Sequence, residues 1–267
     1  MINFLKRFYL AIILIFMYAP ILVLIVFSFN ESKTMGVFTG FSLKWYETLF
    51  NDIFIKESIY NTLTIAVLSA TVSTVLGTAA AIGIKQYRKF SRNLIQNISY
   101  IPMVNADIVT GVSFLLLFIF MAMDRGYLTL LIAHITFNIP YVIFAVLPSL
   151  NMMNPELYDA AIDLGATPMS AVRKVILPAI SPGIVTGFIL AFTLSVDDFV
   201  VSFFAAQGGV SNLSIYIYSM ARKGINPSIN ALSAIMFIII ITLLVIVNVR
   251  SNIASKNKYK TRKELLN

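Results

Sequence analysis

Six stretches of this chain, 8–29, 58–84, 94–123, 127–150, 182–205 and 231–249, are each long and apolar enough to cross a lipid bilayer. A helix rises about 1.5 Å per residue against a hydrocarbon layer of about 30 Å, so about 20 mostly apolar residues suffice. The expected fold class is an all-α polytopic membrane protein with six transmembrane helices. Composition agrees: 58% of the 267 residues are apolar and 12% charged, whereas soluble domains are roughly half apolar and about a quarter charged. That balance excludes a single water-soluble core, a disordered chain and a nucleic-acid module. The net charge of +8 reflects scarce acids rather than dense basic patches. The chain has no cysteine, which excludes disulfides, iron–sulfur clusters and thiol nucleophiles, and its single histidine, His134, leaves little for a metal site.

Basic residues are retained on the cytoplasmic side of a membrane. With the N-terminus inside, the cytoplasmic segments carry 14 Lys and Arg and the outer ones 6, so both termini are expected in the cytoplasm. Residues 1–250 then form the transmembrane domain and 251–267 a basic cytoplasmic tail. The first apolar run, of 22 residues, exceeds the 7–15 or so of a signal-peptide core and lacks a small-x-small cleavage site, so it reads as a retained helix. Small residues one turn apart, Gly77 with Ala81 and Gly183 with Gly187, let helix backbones approach closely in lipid.

The loop over 151–181 is long, cytoplasmic and patterned. Asn154-Pro155-Glu156 reads as a helix start, with a capping Asn, Pro at the first position and an acid at the positive end of the dipole. Leu157, Ala160, Ala161 and Leu164 then form an apolar stripe with Asp159 and Asp163 beside it, and Gly165 stops the helix. Thr167-Pro168 begins a second helix with Met169, Val172 and Ile176 on one face, and Pro178 and Pro182 break the chain before the fifth span. A helix–Gly–helix unit of this kind is a docking surface. The competing reading is a helix resting on lipid headgroups, against which the two acids argue mildly.

Asp159-Ala160-Ala161, three residues, Gly165, nine residues, then Val175-Ile176-Leu177-Pro178 resembles the EAA loop of binding-protein-dependent ABC importer permeases, Glu-Ala-Ala-x3-Gly-x9-Ile-x-Leu-Pro. Asp replaces Glu and Val replaces Ile; the spacing is intact. His134-Ile135-Thr136-Phe137, Thr193-Leu194-Ser195-Val196-Asp197-Asp198 and Ile217-Tyr218-Ser219-Met220 are similar to the permeases of spermidine/putrescine importers. The resemblance implies a type I importer in the bacterial inner membrane. Its partners would be a second permease subunit, a dimer of ATPase subunits and an extracytoplasmic polyamine-binding protein. It also implies that Glu156, Asp159, Ala160, Ala161, Asp163, Gly165, Val175, Leu177 and Pro178 belong to the loop that seats in the ATPase. No Gly-x4-Gly-Lys-Ser/Thr phosphate loop occurs. The chain is therefore expected to bind no cofactor and to catalyse no reaction, with ATP–Mg held by the partner ATPase.

Asp107, Asp197 and Asp198 fall within expected spans, where an ionised group normally faces a water-filled path or a partner. Asp107 and Asp197 each lie about 20 Å from the cytoplasmic start of their span. A polyamine needs acceptors that replace hydration and aromatic faces that attract cations. Those three acids, with Tyr141, Phe192, Phe199 and Phe203, are the candidate substrate path. Adjacent residues of a helix point about 100° apart, so Asp197 and Asp198 are not expected to share one pore. Asp107 reads equally as the cap of a broken helix, and His134 as an interhelical hydrogen-bonding group rather than a ligand. Other readings stay open: a permease for another cation or small solute, or a proton-coupled secondary transporter, which would need broken helices in matching halves.

Overall fold

The apolar stretches form helices, and the polar interruptions inside them decide where those helices bend. The computed structural model describes residues 2–33, 37–154, 156–206, 209–223, 227–239 and 241–242. Pro155, residues 240 and 243–249 of the sixth expected span, and the basic tail lie outside the described residues. Among the described residues, three helical segments are individually long and apolar enough to cross a membrane: Lys6–Ser28, Ile53–Gln86 and Tyr127–Met152. The number becomes five if each of two bent helix pairs forms one span. The chain divides into two compact units, Met1–Ile53 with Ile217–Asn267, and Phe54–Tyr216.

In the first unit α1 (Ile2–Ser28) carries Pro20 in its interior, and none of its most apolar window is buried. Beyond it the chain folds back through a small polar knot absent from the expectations. Asn30 Oδ1 accepts from the Thr39 backbone N–H at 2.8 Å, its Nδ2 donates to the Val37 carbonyl at 3.0 Å, and its own carbonyl accepts Trp45 Nε1–H at 2.6 Å. The knot seats α2 (Lys44–Asn51), with Trp45 and Leu49 buried along one face. Tyr18 of α1 meets Phe237 of the helix Pro227–Ile239 with ring centroids 6.3 Å apart.

The second unit is built on α3 (Ile53–Gln86) and α6 (Tyr127–Met152). The small-residue pairs mark close packing: a Cβ on Gly77 would stand 2.7 Å from Val142 Cβ, and one on Gly183 would stand 2.9 Å from Ser149 Cβ. Such approaches exclude any side chain and let dispersion contacts hold the helices together. Lys85, at the end of α3, donates to the Leu150 carbonyl near the end of α6. Those two helix ends therefore lie on one side of the unit. One apolar cluster joins Ala81 and Ile84 of α3 to Val146 and Leu150 of α6, and a second joins Ile65, Phe118, Leu130 and Val201.

Two expected spans are not single helices. The third, expected over 94–123, is α4 (Lys89–Val104) and α5 (Asp107–Phe120), bent by 99°. Asn105 and Ala106 are extended between them. The fifth, expected over 182–205, is α9 (Ser181–Asp197) and α10 (Val200–Ala205), parted at Asp198, whose backbone is also extended. The expected break at Pro178 is displaced. α8 (Pro168–Ala179) runs through it and bends by 72° into α9 only at Ile180. Proline lacks an N–H and clashes with the carbonyl four residues back. A π-turn over Val172–Ile176, in which the Leu177 N–H bonds the Val172 carbonyl, shifts the register just ahead of that clash.

Candidate functional site

The register between α6 and α9 places the acids. The helices run antiparallel: Gly183 lies against Ser149, Gly187 against Val142, and Asn138 Nδ2 donates to Ser195 Oγ at 2.8 Å, which also meets Ser69 Oγ of α3 at 2.9 Å. The next pair along is Asp198 with His134, the latter about 10 Å from the Tyr127 end of α6 at 1.5 Å per residue. On the other side, a Cβ on Gly111 of α5 would stand 2.7 Å from Phe204 Cδ2 and 3.2 Å from the Val200 carbonyl. The two helix breaks are thus neighbours. Asp107 is the first residue of α5 and Asp197 the last of α9, so each stands at one of these breaks.

Both carboxylates are exposed in the chain. Asp107 occupies the positive end of its helix dipole, whereas Asp197 ends a helix, where an anion is disfavoured. Tyr141 lies within electrostatic reach of Asp107 and packs edge-on against Phe137 with centroids 6.1 Å apart. Phe199 and Phe203 meet at 5.6 Å beside the other break, and Phe203 is 45% exposed. Phe192 is not brought there; it stacks on Phe188 at 6.5 Å and packs against the interior cluster. Two carboxylates with aromatic rings beside them present hydrogen-bond acceptors and π faces, a combination suited to ammonium groups.

Asp198 behaves differently from its neighbour. Its carboxylate accepts from the backbone N–H groups of Val201 at 3.2 Å and Ser202 at 2.7 Å, which begin α10. The expectation of adjacent positions on one continuous helix therefore fails at this point, because the extended backbone turns Asp198 inward. His134 Nε2 lies 3.6 Å from Asp198 Oδ2 and hydrogen-bonds Ser202 Oγ at 3.0 Å. Asn212 donates to Ser202 Oγ at 2.7 Å and accepts from the Ile215 N–H at 2.9 Å, capping α11 (Leu213–Lys223). Ser202 and Asn212 were absent from the candidate residues. The one available signal was Ser211-Asn212 ahead of an apolar run, a helix-cap pattern. No group of three metal-ligating side chains occurs among the described residues.

The loop ahead of α9 has the expected local structure. In α7 (Glu156–Asp163) the Glu156 N–H bonds Asn154 Oδ1 at 3.0 Å. Gly165 has φ +85°, and the Ala166 and Gly165 N–H groups bond the Ala161 and Ile162 carbonyls at 3.0 and 2.8 Å. This is a Schellman stop, which favours glycine at the left-handed position. Thr167 Oγ1 caps the second helix by accepting from Ser170 at 3.3 Å. Leu164 is 90% exposed. Leu157, Glu156, Asp159, Ala160, Asp163 and Pro178 are also exposed, while Ala161, Val175 and Leu177 are half-buried. Of the second expected face, Ile176 is buried and Val172 packs against the interior, but Met169 is exposed. The unit thus presents apolar side chains outward between acids.

Residues 73–255 match the family described as the binding-protein-dependent transport system inner membrane component, and the chain belongs to that family. It is 36% identical over 243 residues, 91% of this chain and 95% of the relative, to the spermidine/putrescine transport system permease protein PotC of Haemophilus influenzae. It is 39% identical over 228 residues, 83% of this chain and 81% of the relative, to the putrescine transport system permease protein PotI of Escherichia coli K12. Among solved structures, a bacterial ABC transporter involved in alginate import superposes with a TM-score of 0.69 at 21% identity, covering 91% of this chain and 92% of that one. That likeness speaks for the fold. Breaks do occur in the third and fifth expected spans, but not in corresponding positions of two three-span halves, as a secondary transporter would require; family membership places the chain among the binding-protein-dependent systems.

Proposed function

We propose that this chain is the membrane-spanning permease subunit of an ATP-driven, binding-protein-dependent importer of polyamines. The observation that carries the substrate class is the pair of exposed carboxylates, Asp107 and Asp197, at adjacent helix breaks with Tyr141, Phe199 and Phe203 beside them. The names of the relatives point the same way. In this reading the chain has six spans and both termini in the cytoplasm of a bacterium. A second permease subunit completes the cavity, an external binding protein delivers the solute, and a dimer of ATPase subunits holds ATP–Mg. Glu156, Asp159, Ala160, Ala161, Asp163, Gly165, Val175, Leu177 and Pro178 form the coupling surface, with Leu164 entering the ATPase cleft. Nucleotide drives transport by favouring one orientation of the cavity over the other, since equal affinity for both would shift nothing.

The test is ATPase activity of the reconstituted complex with its loaded binding protein. Putrescine or spermidine is expected to stimulate hydrolysis, and an uncharged solute of similar length is not. Equal response to both would overturn the polyamine assignment.

A further inference from the structure

We propose that His134, Ser202, Asn212 and Asp198 form a buried latch whose task is to position the break that presents Asp197, so that Asp198 and His134 are positioning residues and not contacts to the solute. The inference rests on the reading of Asp197 as a solute acceptor.

The geometry separates the neighbouring acids. Asp197 is exposed and ends α9. The Asp198 side chain is 10% exposed and both its oxygens accept from the first turn of α10. Two N–H groups at a helix start are orphan donors, and a carboxylate that takes both pins the start to its own backbone. His134 is 0% exposed and is placed on the same cluster by Ser202, which is 0% exposed as well. Asn212 closes it from the far end of the loop, donating to Ser202 Oγ and, at 3.3 Å, to the Asp198 carbonyl. The two ends of the segment, Asp198 and Asn212, are therefore tied to each other, and through Ser202 and Asp198 to His134 of α6. Further ties hold it to α3: the Leu213 N–H bonds Thr62 Oγ1 at 2.8 Å and Asn61 donates to the Ser211 carbonyl at 3.1 Å. Loosening the latch frees the residue before it, Asp197, without touching a solute-facing atom.

The experiment uses the whole reconstituted importer and reads polyamine uptake as KM and maximal rate, with complex yield measured for every variant. His134→Leu and Asp198→Ala are expected to raise KM about tenfold or more at normal yield, the scale of losing a hydrogen bond to a charged group. His134→Gln, which keeps a hydrogen-bonding group in place, is expected to stay within about threefold, and Asp198→Asn, which keeps one of the two acceptor oxygens, to fall between the wild type and Asp198→Ala. An Asp198→Asn variant as impaired as Asp198→Ala would make the charge itself the functional group and overturn the proposal. So would an unchanged KM in His134→Leu. If His134→Leu does not assemble, Asn212→Ala tests the same tie with the same expected rise in KM.

A second readout does not depend on the solute. The chain has no cysteine, so Asp197→Cys introduces the one thiol, whose labelling rate on this chain in the assembled complex is measured by mass spectrometry. The rate is expected to change severalfold when Asn212→Ala is added; an unchanged rate contradicts the latch. A wild-type complex that transports no polyamine would refute the function while leaving this second test standing.

Discussion

At the scale of single residues the chain separates charge that is offered from charge that is consumed. Asp107 and Asp197 remain exposed at helix ends, whereas Asp198 spends its acceptors on Val201 and Ser202. Replacing Asp107 or Asp197 by Asn removes charge with little change of shape. Each is expected to raise KM for spermidine roughly tenfold while leaving the amount of assembled complex unchanged, as loss of a charge-assisted hydrogen bond predicts; uptake kinetics with quantified complex would check this. Glycines give a second prediction. Gly183→Ala would drive a Cβ to 2.5 Å from Ser149 Oγ and 3.2 Å from the Ala145 carbonyl, and overpacking of this kind costs about 1–3 kcal/mol. Gly83 has nothing within 4 Å of its Cβ position, so Gly83→Ala is expected to cost nothing. Thermal unfolding of the two variants in detergent should separate them.

Elements were legible in proportion to how local their causes are. The helix–Gly–helix loop was readable because capping by Asn154 and Thr167 and the left-handed Gly165 are decided within a few residues. The fifth span was readable as apolar and not as a broken helix, whereas the break in the third was legible through Asp107, which read equally as the cap of a broken helix. A composition window averages over Asn105-Ala106 and Asp198, where one or two extended residues redirect a helix. The candidate site inherited that difficulty: Asp107 and Asp197 were found as charges in apolar surroundings, but Asp198 appeared equivalent to Asp197 until the break turned it inward. Ser202 and Asn212 were invisible because their partners are distant in sequence. For the loop itself, Leu164 is 90% exposed, so Leu164→Asp leaves the fold intact. It is expected to abolish retention of the ATPase in a pull-down from detergent; undiminished retention would remove α7 from the docking surface.

At the scale of the molecule, the account needs the chain to sit with its coupling loop inside and the Asn30–Trp45 knot outside. The basic residues fall 14 to 6 in favour of that orientation. The cysteine-free background allows a direct check in intact cells with a membrane-impermeant thiol reagent. Glu47→Cys is expected to react from outside and Lys89→Cys only after the cells are opened; the reverse pattern would invert the topology. The central claim is that a chain holding two exposed carboxylates at neighbouring helix breaks passes polyamines under the drive of a separate ATPase. The most direct measurement is uptake of radiolabelled spermidine and putrescine into proteoliposomes containing the complete importer, with wild-type or Asp197→Asn chains, with and without ATP. The expected result is ATP-dependent accumulation with the wild-type chain and, at solute well below the wild-type KM, an uptake rate roughly tenfold lower with Asp197→Asn at equal assembly. Accumulation of neither polyamine by the intact wild-type complex, or equal uptake by the variant, would contradict it.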